Sequence, residues 1–191
     1  MGGECNYLLR VTHPEKRLEF VPPSEWQTPR MVSWREDDIV GLLDDAQRVL
    51  EEGAQRLRLP YQLIRKERSV GVVPTAPTIY EVLEELALST YAQLSTSPAA
   101  SSLPFCAFNG GNDVFVDIGN KSLGLQALME YLGLEHPRAL HVGDRFTISG
   151  NDQATRNNCS ILWVANPEET GFFIKLLLRD IDRLNDAPYI E

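Results

Sequence analysis

An α/β fold is predicted by two features of this 191-residue chain. Ala139–Val142 and Ser160–Ala165 are continuous apolar runs of the kind buried in parallel sheets, and each is followed by a helical pattern. Ahead of them, apolar residues at helical spacing alternate with short β-branched runs. The predicted order is α-β-α-β-β, then α-β-α-β-α, without an internal repeat.

The elements follow from local chemistry. Tyr7–Val11 and Leu18–Val21 flank a polar turn at His13–Lys16 and predict a hairpin. Pro22, Pro23 and Pro29 mark a linker. Ser33-Trp34-Arg35-Glu36 has the spacing of a capping box, in which the Ser side chain takes an orphan amide and the Glu reaches back. Behind it Ile39, Leu42, Leu43, Ala46, Val49, Leu50, Ala54 and Leu57 repeat at helical spacing, predicting one long amphipathic helix that ends near Pro60. Leu63–Val73, bounded by Pro60 and Pro74, reads as one strand bent at Gly71. Val82, Leu83, Leu86, Leu88 and Leu94 form a second helix, and Ser95–Ser102 a loop. Phe105–Phe108 and Val114–Ile118 flank Asn109-Gly110-Gly111-Asn112, a tight-turn signal. Leu123–Leu132 is helical with Gly133 as its C-cap, and Glu168–Leu184 is the last helix.

A formal charge of −9 argues against nucleic acid or an anionic membrane as the main partner, since either selects a basic face. It leaves a phosphorylated small molecule open, because a few local cations override a global field. No apolar run approaches a membrane span. Cys5, Cys106 and Cys159 are odd in number and widely spaced, so they read as reduced thiols of a cytoplasmic protein. His13, His136 and His141 make no zinc pattern with them. Self-association into a homo-oligomer stays open.

Three stretches carry chemistry. In Leu140–Asp152 a buried strand ends in Gly143-Asp144, a polar loop follows, and Asn151-Asp152 opens the next helix. Ligands of open α/β sheets sit beyond the carboxyl ends of the strands, which places Asp144 there. Two carboxylates at that rim suit magnesium, which takes oxygen ligands and shares them with phosphate; a plain turn and a helix cap explain them equally. Lys121, at a helix start, could neutralise a phosphoryl group or simply face water. Asp113 and Asp117 share one strand face with each other and could bind hydroxyls or solvent. Arg65-Lys66-Glu67-Arg68 is a basic knot that fits either an anionic ligand or a charged strand edge.

Together these stretches resemble the C-terminal part of a haloacid dehalogenase phosphatase with a phosphomannomutase-like cap. Gly143-Asp144 and Gly150-Asn151-Asp152 are similar to its acidic metal-binding motif, and Lys121 in Asp117–Gly124 is similar to its conserved lysine. The resemblance is closer still to the IMP-specific 5′-nucleotidases. It runs through Met1-Gly2-Gly3-Glu4-Cys5-Asn6-Tyr7-Leu8, Ile64-Arg65-Lys66, Val70–Pro74, Gly110-Gly111-Asn112-Asp113-Val114, Leu140–Asp144 and Trp163–Thr170.

That resemblance implies a partial haloacid dehalogenase-type Rossmannoid core with an inserted α+β cap. Residues 1–30 would be a core-edge hairpin and linker, 31–118 the cap, and 119–191 the C-terminal part of the core. It implies magnesium-dependent hydrolysis of IMP to inosine. Asp144 would be the metal ligand, supported by Asn151 and Asp152. Lys121 would be the catalytic cation on the phosphate, with Asp113 and Asp117 as further nucleotide contacts. The family's Asp-x-Asp nucleophile motif has no counterpart at a strand end here. The one such triplet, Asp180-Ile181-Asp182, falls in the last predicted helix. Met1 aligns with an internal position of the family, so a fragment or truncated product is expected, with the apolar faces of 139–142 and 160–165 left uncovered and the cap holding together better than the core. Two other readings remain: a non-catalytic module that binds nucleotide or a partner, and a sugar-phosphate mutase or phosphatase of the same superfamily.

Overall fold

Few residues are needed to pair a hairpin, and the first one is small: β1 (Leu9–Val11) runs antiparallel to β2 (Leu18–Phe20), with Leu9 opposite Phe20. The computed structural model describes residues 1–135 and 138–186, so His136 lies outside the described residues. The proline-rich stretch is not an open linker. It forms two single-turn helices, α1 (Pro23–Trp26) and α2 (Pro29–Val32), each begun by a proline whose fixed φ suits the first helical position. Thr28 caps the second by accepting a hydrogen bond from the Met31 amide at 3.4 Å. These turns bury Trp26 and Met31 in a small apolar cluster with Cys5, Leu8, Val21 and Ala127.

The long helix α3 (Glu36–Arg56) buries Ile39, Leu42, Leu43, Ala46, Val49, Leu50 and Ala54, the stripe expected from the spacing. The expected capping box is not formed. Ser33 closes α2 and donates its hydroxyl to Arg30 O at 2.7 Å, while Glu36, Asp37 and Asp38 complement the positive end of α3 by charge alone.

Leu63–Val73 is two strands, not one bent strand. β3 (Tyr61–Arg65) and β4 (Ser69–Pro74) pair antiparallel across a turn closed by Lys66 N donating to Ser69 O at 2.8 Å. The reason is physical: of the four successive charged residues, Arg65 ends β3, and Lys66, Glu67 and Arg68 cannot continue a strand whose face is buried, so they take the turn. Helix α4 (Tyr80–Leu94) follows. A 3-10 turn at Pro98–Ser101 interrupts the expected loop. β5 (Phe105–Asn109) and β6 (Val114–Ile118) complete a sheet of order β3-β4-β6-β5 in which every pairing is antiparallel.

One face of that sheet packs on α3 and α4. Val70 and Val72 of β4 and Val114, Val116 and Ile118 of β6 are all fully buried there with Leu42, Leu43, Leu50, Leu83 and Leu86. Strand alternation sends Phe115 and Asp117 of β6, and Cys106 and Phe108 of β5, to the opposite face.

Helix α5 (Lys121–Leu132) is capped by Asn120, whose side chain accepts from the Leu123 amide at 3.0 Å, and closed by Gly133 at φ 64. β7 (Leu140–Gly143) and β8 (Ser160–Trp163) pair in parallel, Leu140 beside Ser160. The helix expected between them is only a 3-10 turn, Gln153–Thr155. Helix α6 (Pro167–Asp186) ends the described chain. No residue of β7, β8 or α6 joins either buried apolar cluster among the described residues. Leu140 and Trp163 are 43% and 51% exposed, and Phe172, Leu178 and Ile181 are also exposed. None of the described helices is long and apolar enough to cross a membrane.

Candidate active site

Lys121 and Asp152 meet. Asn120 starts α5 at the end of β6 and a Gly119 turn at φ 81, which sends the Lys121 ammonium to Asp152 Oδ1 at 2.6 Å. Asp152 is 3% exposed and Lys121 31%. The Asp152 carboxylate is fully engaged: His141 Nε2 stands 3.2 Å from Oδ1, and the Arg145 amide donates to Oδ2 at 2.9 Å. Burial alone would raise its pKa. The hydrogen bonds from His141, Lys121 and the Arg145 amide, with the Lys121 charge, outweigh that and hold it well below the usual carboxylate range. Asp152 stands at the N-cap position of the turn Gln153–Thr155, but its side chain makes no capping bond. Gly143 has no Cβ because that carboxylate fills the space where one would stand.

Asp144 stands one residue beyond β7, at the carboxyl end of a parallel strand. Trp163 Nε1 donates to its carbonyl at 3.1 Å and fixes the backbone. The carboxylate is 55% exposed, and its nearest ionic neighbour is Arg145 Nε at 3.9 Å. The donor set can be tested against magnesium on these grounds. Both oxygens of Asp152 already accept hydrogen bonds, which suits it to orienting the loop more than to ligating a metal. Asp144 is free to offer one carboxylate, and no group of three or more His, Cys, Asp or Glu able to hold a metal occurs among the described residues. Magnesium is commonly held by one or two carboxylates, with phosphate and water completing the octahedron. The half-exposed Asp144 carboxylate fits such a partial shell.

Asn151 turns away from Asp152 and donates to Glu4 Oε1 at 3.1 Å. Glu4 Oε2 is buried without a hydrogen-bond partner. Burial pushes the Glu4 carboxyl up, and the nearby Lys121 charge pulls it partly back. Glu4, Lys121, His141 and Asn151 line a cavity of about 390 Å³.

Asp113 and Asp117 lie elsewhere, on the wall of a second cavity of about 560 Å³ between the free face of the four-stranded sheet and the N-terminal segment. Asn6, Tyr7, Lys66 and Phe115 share that wall, and Gly3 lines both cavities. Burial, reinforced by Glu4 and Asp113, raises the Asp117 carboxyl to about 7 despite the Lys66 charge. Burial also raises Asp113, while Arg145 and Lys66 oppose it.

Four participants were not among the sequence candidates: Glu4, Asn6, His141 and Arg145. His141 and Arg145 sit inside the stretch that named Asp144, and their polar types there were the available signal. For Glu4 and Asn6 the only signal was the family resemblance through Met1–Leu8, since Glu4 meets its partner Asn151 across 147 positions.

The comparisons with known proteins agree on one family. The family model described as IMP-specific 5′-nucleotidase matches residues 1–174. Among curated relatives, IMP-specific 5′-nucleotidase 1 of Yarrowia lipolytica is 41% identical over 95% of this chain and 44% of its own length. That of Aspergillus fumigatus is 46% identical over 89% of this chain and 39% of its own. This chain thus spans less than half the length of these relatives. Among solved structures, an IMP-bound mutant of Plasmodium falciparum IMP-nucleotidase superposes with a TM-score of 0.83 at 36% identity, over 94% of this chain and 48% of that one. An ATP-bound form of the same protein gives 0.79 at 37% identity, over 99% and 43%. The mixed α/β fold expected from the sequence is the fold shared with them.

Proposed function

This chain belongs to the IMP-specific 5′-nucleotidase family, and on that premise we propose that it supplies the phosphate-holding, metal-binding and nucleoside-binding side of a magnesium-dependent IMP 5′-nucleotidase. The observation that carries the reading is the Lys121–Asp152 pair, set one loop away from the half-exposed carboxylate of Asp144. Lys121 brings a cation to the cavity, and Asp152 holds it at a fixed position with its own charge already engaged by His141 and the Arg145 amide. A preorganised ammonium of this kind stabilises charge that grows on phosphoryl oxygens in the transition state. Asp144 would hold magnesium, with Asn151 and Asp152 ordering the loop behind it. Bound there, the metal supplies charge neutralisation on the phosphate. Asp113 and Asp117 face the cavity in which the ribose and base would lie. The three free cysteines support a cytoplasmic setting.

The hydrolytic step needs a nucleophile held at a strand end facing phosphorus. The Asp180–Asp182 pair instead lies on the regular helix α6. The 191-residue chain on its own is therefore expected to bind IMP and magnesium but to release no phosphate from IMP above background. Phosphate release by the purified chain, abolished in Asp144→Ala, would overturn this assignment of the nucleophile. Failure of IMP to bind at all would overturn the nucleotidase reading.

A further inference from the structure

Arg145 is more buried than Arg65 or Arg68 and less well paired. Those two are 31% and 33% exposed and turn back onto α3, where Asp44 and Glu36 each meet them at 2.8 Å. Arg145 is 25% exposed, yet none of its guanidinium N–H groups donates a hydrogen bond among the described residues. Asp144 stands 3.9 Å away, a charge contact beyond hydrogen-bonding reach. Asp113 likewise acts on it through charge. Both carboxylates partly neutralise the guanidinium without spending a donor.

The guanidinium is nevertheless held in place. It lies over the Tyr80 ring at the start of α4, 5.8 Å from the centroid. Its Nη2 end takes the space beside Gly111, at φ 98, where any Cβ would collide with it. The turn that carries Gly111 is itself fixed by the fully buried Asn109. The Asn109 side chain accepts from the Gly111 amide at 2.8 Å and donates to Glu84 at 3.3 Å, and its own amide donates to Ser149 O at 3.0 Å. A stack on an aromatic ring uses the face of a guanidinium and leaves the N–H fork, which lies in its plane, unspent. Behind the side chain, Asp152 clamps the Arg145 backbone: Oδ2 accepts the Arg145 amide at 2.9 Å, and the Asp152 amide donates to Arg145 O at 3.1 Å. The same carboxylate holds Lys121 through Oδ1 at 2.6 Å. Asp152 thus organises two cations next to Asp144, a compact ammonium and a planar fork.

We propose that Arg145 is a second phosphate-binding cation, whose guanidinium fork takes oxygens of the phosphoryl group that Lys121 holds. This rests on the nucleotidase reading above and adds a residue to its phosphate site. A fork of donors without an acceptor matches a group that presents several acceptor oxygens, and it binds two of them in parallel. Donors left unmet in a mostly buried position are costly, and a phosphoryl group would satisfy them.

The test is titration calorimetry of the 191-residue chain in magnesium-containing buffer, with inorganic phosphate as the probe and inosine as a ligand that lacks phosphate. Arg145→Met should weaken phosphate about tenfold or more and leave inosine unchanged. Arg145→Lys keeps the charge and loses the fork, so it should recover only part of that loss. Thermal melts check folding, and Arg145→Lys carries the test if Arg145→Met does not fold. Unchanged phosphate affinity in either variant overturns the proposal. Equal weakening of phosphate and inosine also overturns it, since that is the signature of a side chain that only supports the turn. Phosphate binding lost in Lys121→Met but kept in Arg145→Met refutes this proposal and leaves the nucleotidase reading standing. A folded wild-type chain that binds no phosphate refutes both.

Discussion

Replacing Lys121 with methionine keeps the side-chain volume and removes the cation from a carboxylate that water hardly reaches. Breaking a fully buried pair in this way costs about 3–5 kcal/mol, because the remaining charge stays uncompensated. An exposed pair is worth about 0–1 kcal/mol. Lys121 is 31% exposed and Asp152 3%, and Asp152 keeps His141 and the Arg145 amide. The expected loss is therefore intermediate, about 2 kcal/mol, or roughly 4–8 °C in Tm for a chain of this size. The sign with pH follows from Asp152. Its folded pKa is depressed, so its contribution is present above the unfolded value of about 4 and is lost as pH falls below it toward the folded value. Thermal melts of the wild type and Lys121→Met should thus differ by a constant gap from pH 7 to about 5, and the gap should close in stronger acid. The double variant with Asp152→Asn measures the pair directly, with an expected coupling of about 2 kcal/mol. A coupling near zero, or a gap that persists unchanged in acid, would show that Asp152 is stabilised without Lys121.

Two further outcomes are expected. Gly111→Ala puts a side chain at φ 98 and into the Arg145 guanidinium, which otherwise lies over the Tyr80 ring at 5.8 Å from its centroid. It should cost about 2 kcal/mol, and adding Arg145→Ala should recover only the steric part; full recovery would mean that the turn itself is unstrained. Asp117→Asn removes a carboxyl raised to about 7 by burial, so the native state holds an extra proton between about pH 4 and that value. The variant should gain on the wild type by roughly 2–4 kcal/mol as pH rises through that window and no further above it, and parallel stability curves would refute the raised pKa.

Periodicity made some of this fold readable. The α3 stripe needed only the 3.6-residue repeat, and Gly133 marked the end of α5 by chemistry local to it, while the start at Lys121 lay two residues ahead of the expected Leu123. Gly143-Asp144 was readable for the same reason, since a buried strand that stops at a small residue exposes whatever follows. The Arg65–Arg68 run was not, because a charged turn and a charged edge look alike until the partners on α3 are known. Asp152 was half readable. Its rim position followed from the loop, but its engagement with Lys121 and His141 depends on three elements meeting. The single-turn helices at Pro23 and Pro29 were missed because proline breaks a helix in its interior yet begins one well.

Glu4 and Asn6 show why the two ends of the site have to be considered together. The segment Gly2–Tyr7 lies between the cavity of Lys121 and the cavity of Asp117. Cys5 Sγ and Asn6 Nδ2 both reach Ile118 O, the last carbonyl of β6, while Glu4 reaches Asn151 in the loop behind Asp144. Three adjacent residues thereby tie the strand that carries Asp117 to the loop that carries Asp152. Ile118 is also only three positions before Lys121, so a shift of this segment moves both cavities at once. The physical basis for such a seam is that Glu4 is costly where it stands: its Oε2 is buried without a hydrogen-bond partner, and burial raises its pKa. Of its two oxygens, Oε1 is held by Asn151 while Oε2 is held in place by the surrounding fold. Glu4 stands between the cavity of Lys121 and the cavity of Asp117, so this cost falls at the junction of the two cavities.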